Sequence, residues 1–258
     1  CWPILKEIVE EKLMADPEQV NDRMRELSLK LPVDSDIQIA IRFIEQSALY
    51  YAQVRGLGTL KLNSTKEYVE KYTEEFYLVD LYYRRTLEAY HELITKENPI
   101  EQTLSSAKRQ LDLEYAKITN VLNLEWLTCV GEKGTWFTET GLKRQEDFYK
   151  NESDTSVKQV VIVCDALRYE VAKELMLELA KEKHIATIDA YQAMLPTETK
   201  YCKPALLPHH SLELNGTDMM VDGTLLTTTE QRTAHLGKYR EGAICTRYED
   251  VMNGDQQA

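Results

Sequence analysis

Apolar residues in the first half of the chain recur at spacings of three and four, and from Gln159 onward that pattern changes. Helix-start signals subdivide residues 1 to 131. Asp16-Pro17-Glu18-Gln19 places a capping aspartate before a proline at the first helical position, with glutamine at the third. Ser35-Asp36-Ile37-Gln38 and Ser64-Thr65-Lys66-Glu67 read as two further capping boxes, and Asn98-Pro99 as the opening of another helix. These signals predict about five helices, two of them long, at roughly Ser64 to Thr95 and Pro99 to Val130. The first long helix carries Tyr68, Tyr72, Phe76, Val79, Tyr83, Leu87 and Tyr90 along one side. That stripe is expected to pack an antiparallel bundle; an aromatic platform for bases or a peptide is the alternative. Arg84-Arg85 and Lys108-Arg109 are expected on solvated faces rather than on phosphate.

Gly131, Gly134 and Gly141, followed by Asn151-Glu152-Ser153-Asp154, interrupt the helical period and predict a linker, with Trp136 and Phe137 pinned against a neighbour. Beyond it, Val160-Val161-Ile162-Val163 is a β-branched run suited to a strand buried on both faces. Tyr169 to Glu182 reads as an amphipathic helix, His184 to Met194 as a second strand, and Thr199 to Leu207 as a helix. Ser211 to Leu214 and Met219 to Val221 read as short strands, with a turn on Asp222-Gly223. Thr228 to Leu236 is a further helix. The expected organisation is α+β overall: an all-α domain over 1–131, a linker over 132–158 and an α/β domain over 159–258.

Composition narrows the class. With 258 residues and 43% apolar content, the chain can bury one large core or two smaller ones. A chain opening on Cys1 rather than methionine is expected to be a piece of something longer. No stretch reaches the roughly 20 apolar residues that cross a bilayer. The cysteines at 1, 129, 164, 202 and 245 show no C-x-x-C pairing, which predicts a reducing compartment, the cytoplasm. A formal charge of −12 argues against direct nucleic-acid binding.

Candidate chemistry lies at two points. Asp165 follows the β-branched run, and the carboxyl end of a buried parallel strand is where open α/β sheets hold ligands. No glycine occurs between Gly141 and Gly216, which excludes a dinucleotide fingerprint and a phosphate-binding P-loop at this turn. An aspartyl-phosphate hydrolase would carry a second carboxylate where Leu167 stands. Asp165 is left as a metal ligand or as a cap for its helix. Some thirty residues later, Pro196-Thr197-Glu198-Thr199 puts hydroxyls near a helix start, a favourable place for a phosphate. A threonine hydroxyl needs a metal or base beside it to act as a nucleophile.

Cys164-Asp165-Ala166-Leu167-Arg168-Tyr169-Glu170, Leu195-Pro196-Thr197-Glu198-Thr199 and Ala205-Leu206-Leu207-Pro208 together resemble the PglZ group of the alkaline phosphatase superfamily, found in phage-defence systems of the BREX type. Val221-Asp222-Gly223 and Arg232 are similar to a later stretch of that family. The resemblance implies a partial, doubly wound alkaline-phosphatase-like domain, the amino half, behind the helical residues. It implies a phosphoric ester hydrolase with divalent metal, zinc as a pair of ions, activating a threonine through a phospho-enzyme intermediate. On this resemblance Thr199 aligns with the nucleophile and is itself metal-bound, and Asp165 is the first metal ligand. Thr197 is the lesser candidate, and Arg168 and Glu170 are family hallmarks that act on substrate or as a structural ion pair. The remaining ligands, an Asp-His-Gly segment among them, are expected beyond Ala258, so the site is incomplete here. His209 and His210 are weak substitutes. Cys202-Lys203 stands where the family often has Gly-Met. The implied partners are other phage-defence proteins, with no membrane. The alternative function is a scaffold or protein-interaction module within such a defence complex.

Overall fold

Capping side chains mark where several helices begin. In the computed structural model, which describes residues 1–32, 35–58, 60–131, 139–154 and 156–254, α1 (Trp2–Glu7) runs into a π-turn at Ile8–Lys12 and is followed by α2 (Pro17–Ser28). Asp16 accepts the Gln19 amide at 3.2 Å, closing the first turn of α2 as its sequence predicts. Ser35 precedes α3 (Asp36–Gly56) but does not cap it: its hydroxyl donates to the Pro32 carbonyl, and Gln38 turns back to the Ser28 and Leu31 carbonyls. Ser64 accepts the Glu67 amide at 3.1 Å at the start of α4 (Thr65–Lys71). Glu67 in turn accepts the Asn63 amide, one residue before the position a capping box would use. A π-turn at Tyr72–Phe76 joins α4 to α5 (Tyr77–Leu93), so the long helix expected from Ser64 to Thr95 is continuous apart from that turn. α6 (Glu101–Val130) is the other long helix.

The chain divides into two compact units, Cys1–Thr140 with Arg168–Ile188, and Gly141–Leu167 with Asp189–Ala258. The helical unit is built on α3, whose Ala40, Phe43, Ile44, Ala48 and Tyr50 are fully buried, packed by α2 and α5. The tyrosine stripe lies within this packing: Phe76 and Val79 are buried, and Tyr68, Tyr72, Tyr83 and Tyr90 lie against the core. Tyr83 stacks on Tyr115 at 3.7 Å between ring centroids. Arg84 and Arg85 depart from the expectation of solvated faces. Both pair with Glu174, because the helix after Arg168 docks on α5 with its acidic side.

The second unit holds β1 (Lys143–Arg144), a 3₁₀ turn at Gln145–Asp147 and α7 (Phe148–Glu152). α8 (Tyr169–Lys181) belongs to the helical unit, although the sequence pattern groups it with the α/β residues. β2 (Tyr191–Gln192), α9 (Thr199–Ala205), β3 (Leu212–Asn215), β4 (Asp218–Val221), β5 (Thr224–Leu225), α10 (Thr229–Gly237) and α11 (Tyr248–Met252) complete the second unit. β1 and β2 pair in parallel, and β3, β4 and β5 form an antiparallel sheet. His235 of α10 is buried and donates from Nε2 to the Pro208 carbonyl at 2.6 Å.

The fold is therefore mixed α and β, with one correction. Val160, Val161, Ile162 and Val163 are 80%, 61%, 77% and 50% exposed and lie in neither sheet. β-branching favours an extended chain, but a strand also needs a neighbour's backbone to bond. Among the described residues none is paired to this run. The second expected strand, His184 to Met194, shrinks to Tyr191–Gln192, which pairs with Lys143–Arg144. Gly134, Trp136 and Phe137 lie outside the described residues.

Candidate active site

The two residues expected to carry the chemistry meet. Thr199 Oγ1 donates to Asp165 Oδ2 at 2.9 Å, and both side chains are exposed. Asp165 sits in a turn whose next residue, Ala166, has φ 58°. That is the left-handed region, which an L-residue with a Cβ enters at a cost. Observed strain of this kind is a pointer toward a functional position. Thr199 is the first residue of α9, with Glu198 at the N-cap making no side-chain cap.

Local contacts explain why Thr199 is held there. Gln145 bridges two segments, its Oε1 accepting the Met194 amide and its Nε2 donating to the Cys202 carbonyl, both at 3.1 Å. The Cys202 thiol faces the Met194 and Pro196 carbonyls at 3.8 Å each. Burial raises its pKa, as expected of a packing thiol rather than a reactive one. The Met194–Thr199 loop, which includes the cis Leu195–Pro196 bond, is thereby tied to Cys202 in the middle of α9. Gln145 carries no sequence signal, since a lone glutamine after two charged residues has no distinctive spacing.

The other expected site residues are placed differently. Thr197 is exposed, two positions before Thr199. Arg168 and Glu170 are held in the helical unit, where Arg168 Nε lies 3.0 Å from Glu170 Oε1 and Arg168 Nη2 lies 3.2 Å from Asp80. His209 turns its Nδ1 to the Leu207 carbonyl at 2.7 Å, and the His210 ring lies against Tyr239.

Asp222 is an organiser that its turn position did not announce. It has φ 48°, and its Oδ1 accepts the His210 and Ser211 amides at 2.8 Å each. Tyr239 donates to Oδ2 at 2.7 Å. The Tyr239 hydroxyl and the Ser211 amide lower the Asp222 pKa to about 2. Tyr239 is raised to about 12 in return, chiefly by that hydrogen bond. These residues, with Lys238, line an open cavity of about 560 Å³.

The donors on this chain fit part of a metal site. A carboxylate and a hydroxyl oxygen side by side suit a hard or borderline divalent cation, but a catalytic zinc takes three protein ligands. Among the described residues no group of three or more His, Cys, Asp or Glu side chains could hold a metal ion. No described helix is long and apolar enough to cross a membrane.

Comparison with known proteins agrees with the motif resemblance. Residues 146–258 match the family described as "BREX system PglZ alkaline phosphatase-like domain". The chain is 27% identical over 227 residues to the alkaline phosphatase-like protein PglZ of Bacillus cereus (strain H3081.97), covering 83% of this chain and 26% of that protein. That alignment is too long for residues 146–258 alone and extends into the helical residues. It is 34% identical over 114 residues to the alkaline phosphatase-like protein BrxZ of Escherichia coli O9:H4 (strain HS), covering 40% of this chain and 13% of that protein. The chain thus spans about a quarter or less of the length of these curated relatives. No solved structure matches. The part of the chain that brings Asp165 and Thr199 together, residues 146–258, is thus the part similar to the PglZ alkaline phosphatase-like domain of BREX systems.

Proposed function

We propose that this chain is part of a metal-dependent phosphoric ester hydrolase in which Thr199 is the nucleophile and Asp165 a metal ligand. The observation that carries the reading is the 2.9 Å hydrogen bond from Thr199 to Asp165. That bond sets the threonine hydroxyl beside the carboxylate, so an ion held by Asp165 would lie next to the nucleophile. Thr199 also opens a helix, where unpaired amides favour a transferring phosphoryl group. A divalent metal, when bound, supplies the positive charge that makes a threonine alkoxide accessible near neutral pH. Zinc, as two ions, is the proposed cofactor. The remaining ligands are assigned to residues of the longer protein, since two oxygens do not complete a site. The domain these residues complete is taken as a doubly wound sheet of the alkaline phosphatase kind.

The proposal includes the setting. Other proteins of the defence system are the partners, the compartment is the cytoplasm, and direct binding to nucleic acid is not part of the activity. Arg84 and Arg85 are engaged by Glu174 and not presented to phosphate. A second reading, a scaffold within a defence complex, is favoured by Leu113, Leu124 and Leu127. These lie on one side of α6 and are 61%, 55% and 62% exposed. Domain bounds of 1–131, 132–158 and 159–258 remain the working division, and limited proteolysis should cut first within 132–158.

The deciding experiment uses the longer protein with Thr199→Ala, Asp165→Ala and Thr197→Ala. Thr199→Ala should lower phosphate-ester turnover by at least about a thousandfold with an unchanged thermal midpoint. Asp165→Ala should lower turnover and metal content together, and Thr197→Ala should cost far less. Full activity in Thr199→Ala would overturn the reading. Turnover of p-nitrophenyl phosphate by residues 1–258 alone, abolished by both a chelator and Thr199→Ala, would remove the need for outside ligands.

A further inference from the structure

Thr199 and Asp165 are both exposed. A single hydrogen bond between exposed groups adds little stability, because water competes for both partners. The backbone that carries each residue has to hold it in place. α9 is poorly suited to that task by itself. It has seven residues, well short of the length at which a helix persists alone, and Pro204 within it brings no amide to the helical ladder. Its far end is anchored, since Pro204 and Ala205 are buried and α9 packs on β4. Thr199 lies at the other end, where Glu198 gives no side-chain cap.

Gln145 supplies a hold at that end. β1 and β2 pair with Lys143 opposite Tyr191 and Arg144 opposite Gln192. The ladder stops there, because at Gln145 the first chain turns into its 3₁₀ segment. The Gln145 side chain continues where the backbone leaves off, and its Oε1 accepts the Met194 amide at 3.1 Å. Its Nε2 reaches α9 and donates to the Cys202 carbonyl, also at 3.1 Å. That carbonyl is open to it because the Leu206 amide closes the helix onto Lys203 at 3.3 Å, one residue past Cys202. The two contacts need an acceptor and a donor on one head, which an amide offers and a carboxylate or an ammonium does not. Met194 and Cys202 bracket Thr199 in the chain, so one side chain closes the segment at both ends. Gln145, Asp165, Met194, Thr199 and Cys202 all belong to the second compact unit.

We infer that Gln145 is a positioning residue that sets Thr199 against Asp165 by closing the Met194–Cys202 segment. It acts through the backbone of that segment and not on substrate. The inference rests on Thr199 being the nucleophile proposed above.

The test uses the longer protein with two variants. Gln145→Leu keeps most of the bulk and removes both bonds, whereas Gln145→Glu keeps the acceptor for Met194 and loses the donor for Cys202. The readouts are amide exchange across Met194–Cys202, kcat and KM for p-nitrophenyl phosphate, metal content and thermal midpoint. Gln145→Leu should speed exchange at Met194 by at least about tenfold. It should lower kcat by about tenfold or more, with KM within about twofold and metal content unchanged, since a misplaced nucleophile costs rate and not binding. Gln145→Glu should keep Met194 protected and fall between Gln145→Leu and the unmodified protein in kcat. Unchanged exchange in Gln145→Leu would overturn the inference. So would faster exchange with unaltered kcat, which would leave the contact as loop packing alone, or a loss of metal that matches the loss of kcat. Should Gln145→Leu fail to fold, full kcat in Gln145→Glu would overturn the inference, and a reduced kcat with metal retained would support it. If the unmodified protein shows no Thr199-dependent turnover, the proposed function fails separately, and exchange across Met194–Cys202 alone decides whether Gln145 holds the segment.

Discussion

Thr199 and Asp165, 34 positions apart in the chain, are joined by a hydrogen bond of 2.9 Å with the threonine as donor. The bond needs an acceptor at Asp165 but not a negative charge, and the proposed chemistry needs both. Asp165→Asn should therefore keep Thr199 in place while abolishing turnover and lowering metal content in the longer protein. Substantial turnover in Asp165→Asn would mean the carboxylate only orients the hydroxyl.

Burial separates two neighbouring glutamates on α8. Glu170 is 0% exposed between Arg168 and Arg84, whereas Glu174 is 23% exposed. Removing one partner of a buried pair strands the other charges, a loss of about 3–5 kcal/mol. A half-open pair contributes about 1 kcal/mol or less. Urea denaturation should rank Glu170→Ala well below Glu174→Ala; equal losses would show that the burial is not retained in solution.

Tyr50 presents the opposite case. Its side chain is fully buried and its hydroxyl has no hydrogen-bond partner among the described residues. Burial, followed by the Tyr51 and Glu114 charges, raises its pKa. Tyr50→Phe removes the unpaired group and keeps the ring, so stability should be unchanged or higher by about 1 kcal/mol. A loss above about 1 kcal/mol in the same denaturation assay would reveal a partner.

Ala166 lies in the left-handed region at φ 58°. Glycine adopts that conformation freely, although its unfolded chain is more disordered. Ala166→Gly should be stabilising by up to about 1 kcal/mol, and Ala166→Val destabilising by more than that. If both were neutral, the turn would not be strained. Should Ala166→Gly gain stability yet lose turnover, the strain belongs to the chemistry.

Acid stability should report on Asp222. Its carboxyl in the folded protein is lowered to about 2 from its ordinary 3.8. A folded value below the unfolded one adds stability that is complete above about pH 4 and disappears as pH falls through 2. Tyr239→Phe removes the largest cause of the shift. Thermal midpoints of the two proteins should differ by a few degrees at pH 6 and converge near pH 2; a difference that persists at low pH would assign it to packing.

How far the sequence leads depends on the range of the interactions. Asp16 and Ser64 cap as their spacing says, because a cap is settled within four residues. The short strands β3 and β4 are legible for the same reason, though their pairing is not. Ser35 fits the same local pattern, yet the Pro32 carbonyl competes for its hydroxyl. Arg85 and Glu174 are 89 positions apart, and no periodicity connects them, so an arginine pair reads as solvated until α8 is in place. β1 is two charged residues, Lys143 and Arg144, without an apolar period to betray a strand. Family motifs point to Asp165 and Thr199; spacing alone leaves Asp165 open between ligand and cap. That openness is physical, since the same short carboxylate serves both ends.

The exposed run from Val160 to Val163 has a consequence for handling the molecule. Four successive β-branched side chains, uncharged and without a bonded neighbour among the described residues, offer their amides and carbonyls to any extended chain that approaches. Such a segment is a template for strand addition between copies, with a rate that grows with concentration. Preparations of residues 1–258 should therefore form β-rich aggregates on concentration, and a lysine at Val161 should delay them. The same run that reads as the core of a sheet is, when left open, the part of the chain most prone to recruit one from another molecule.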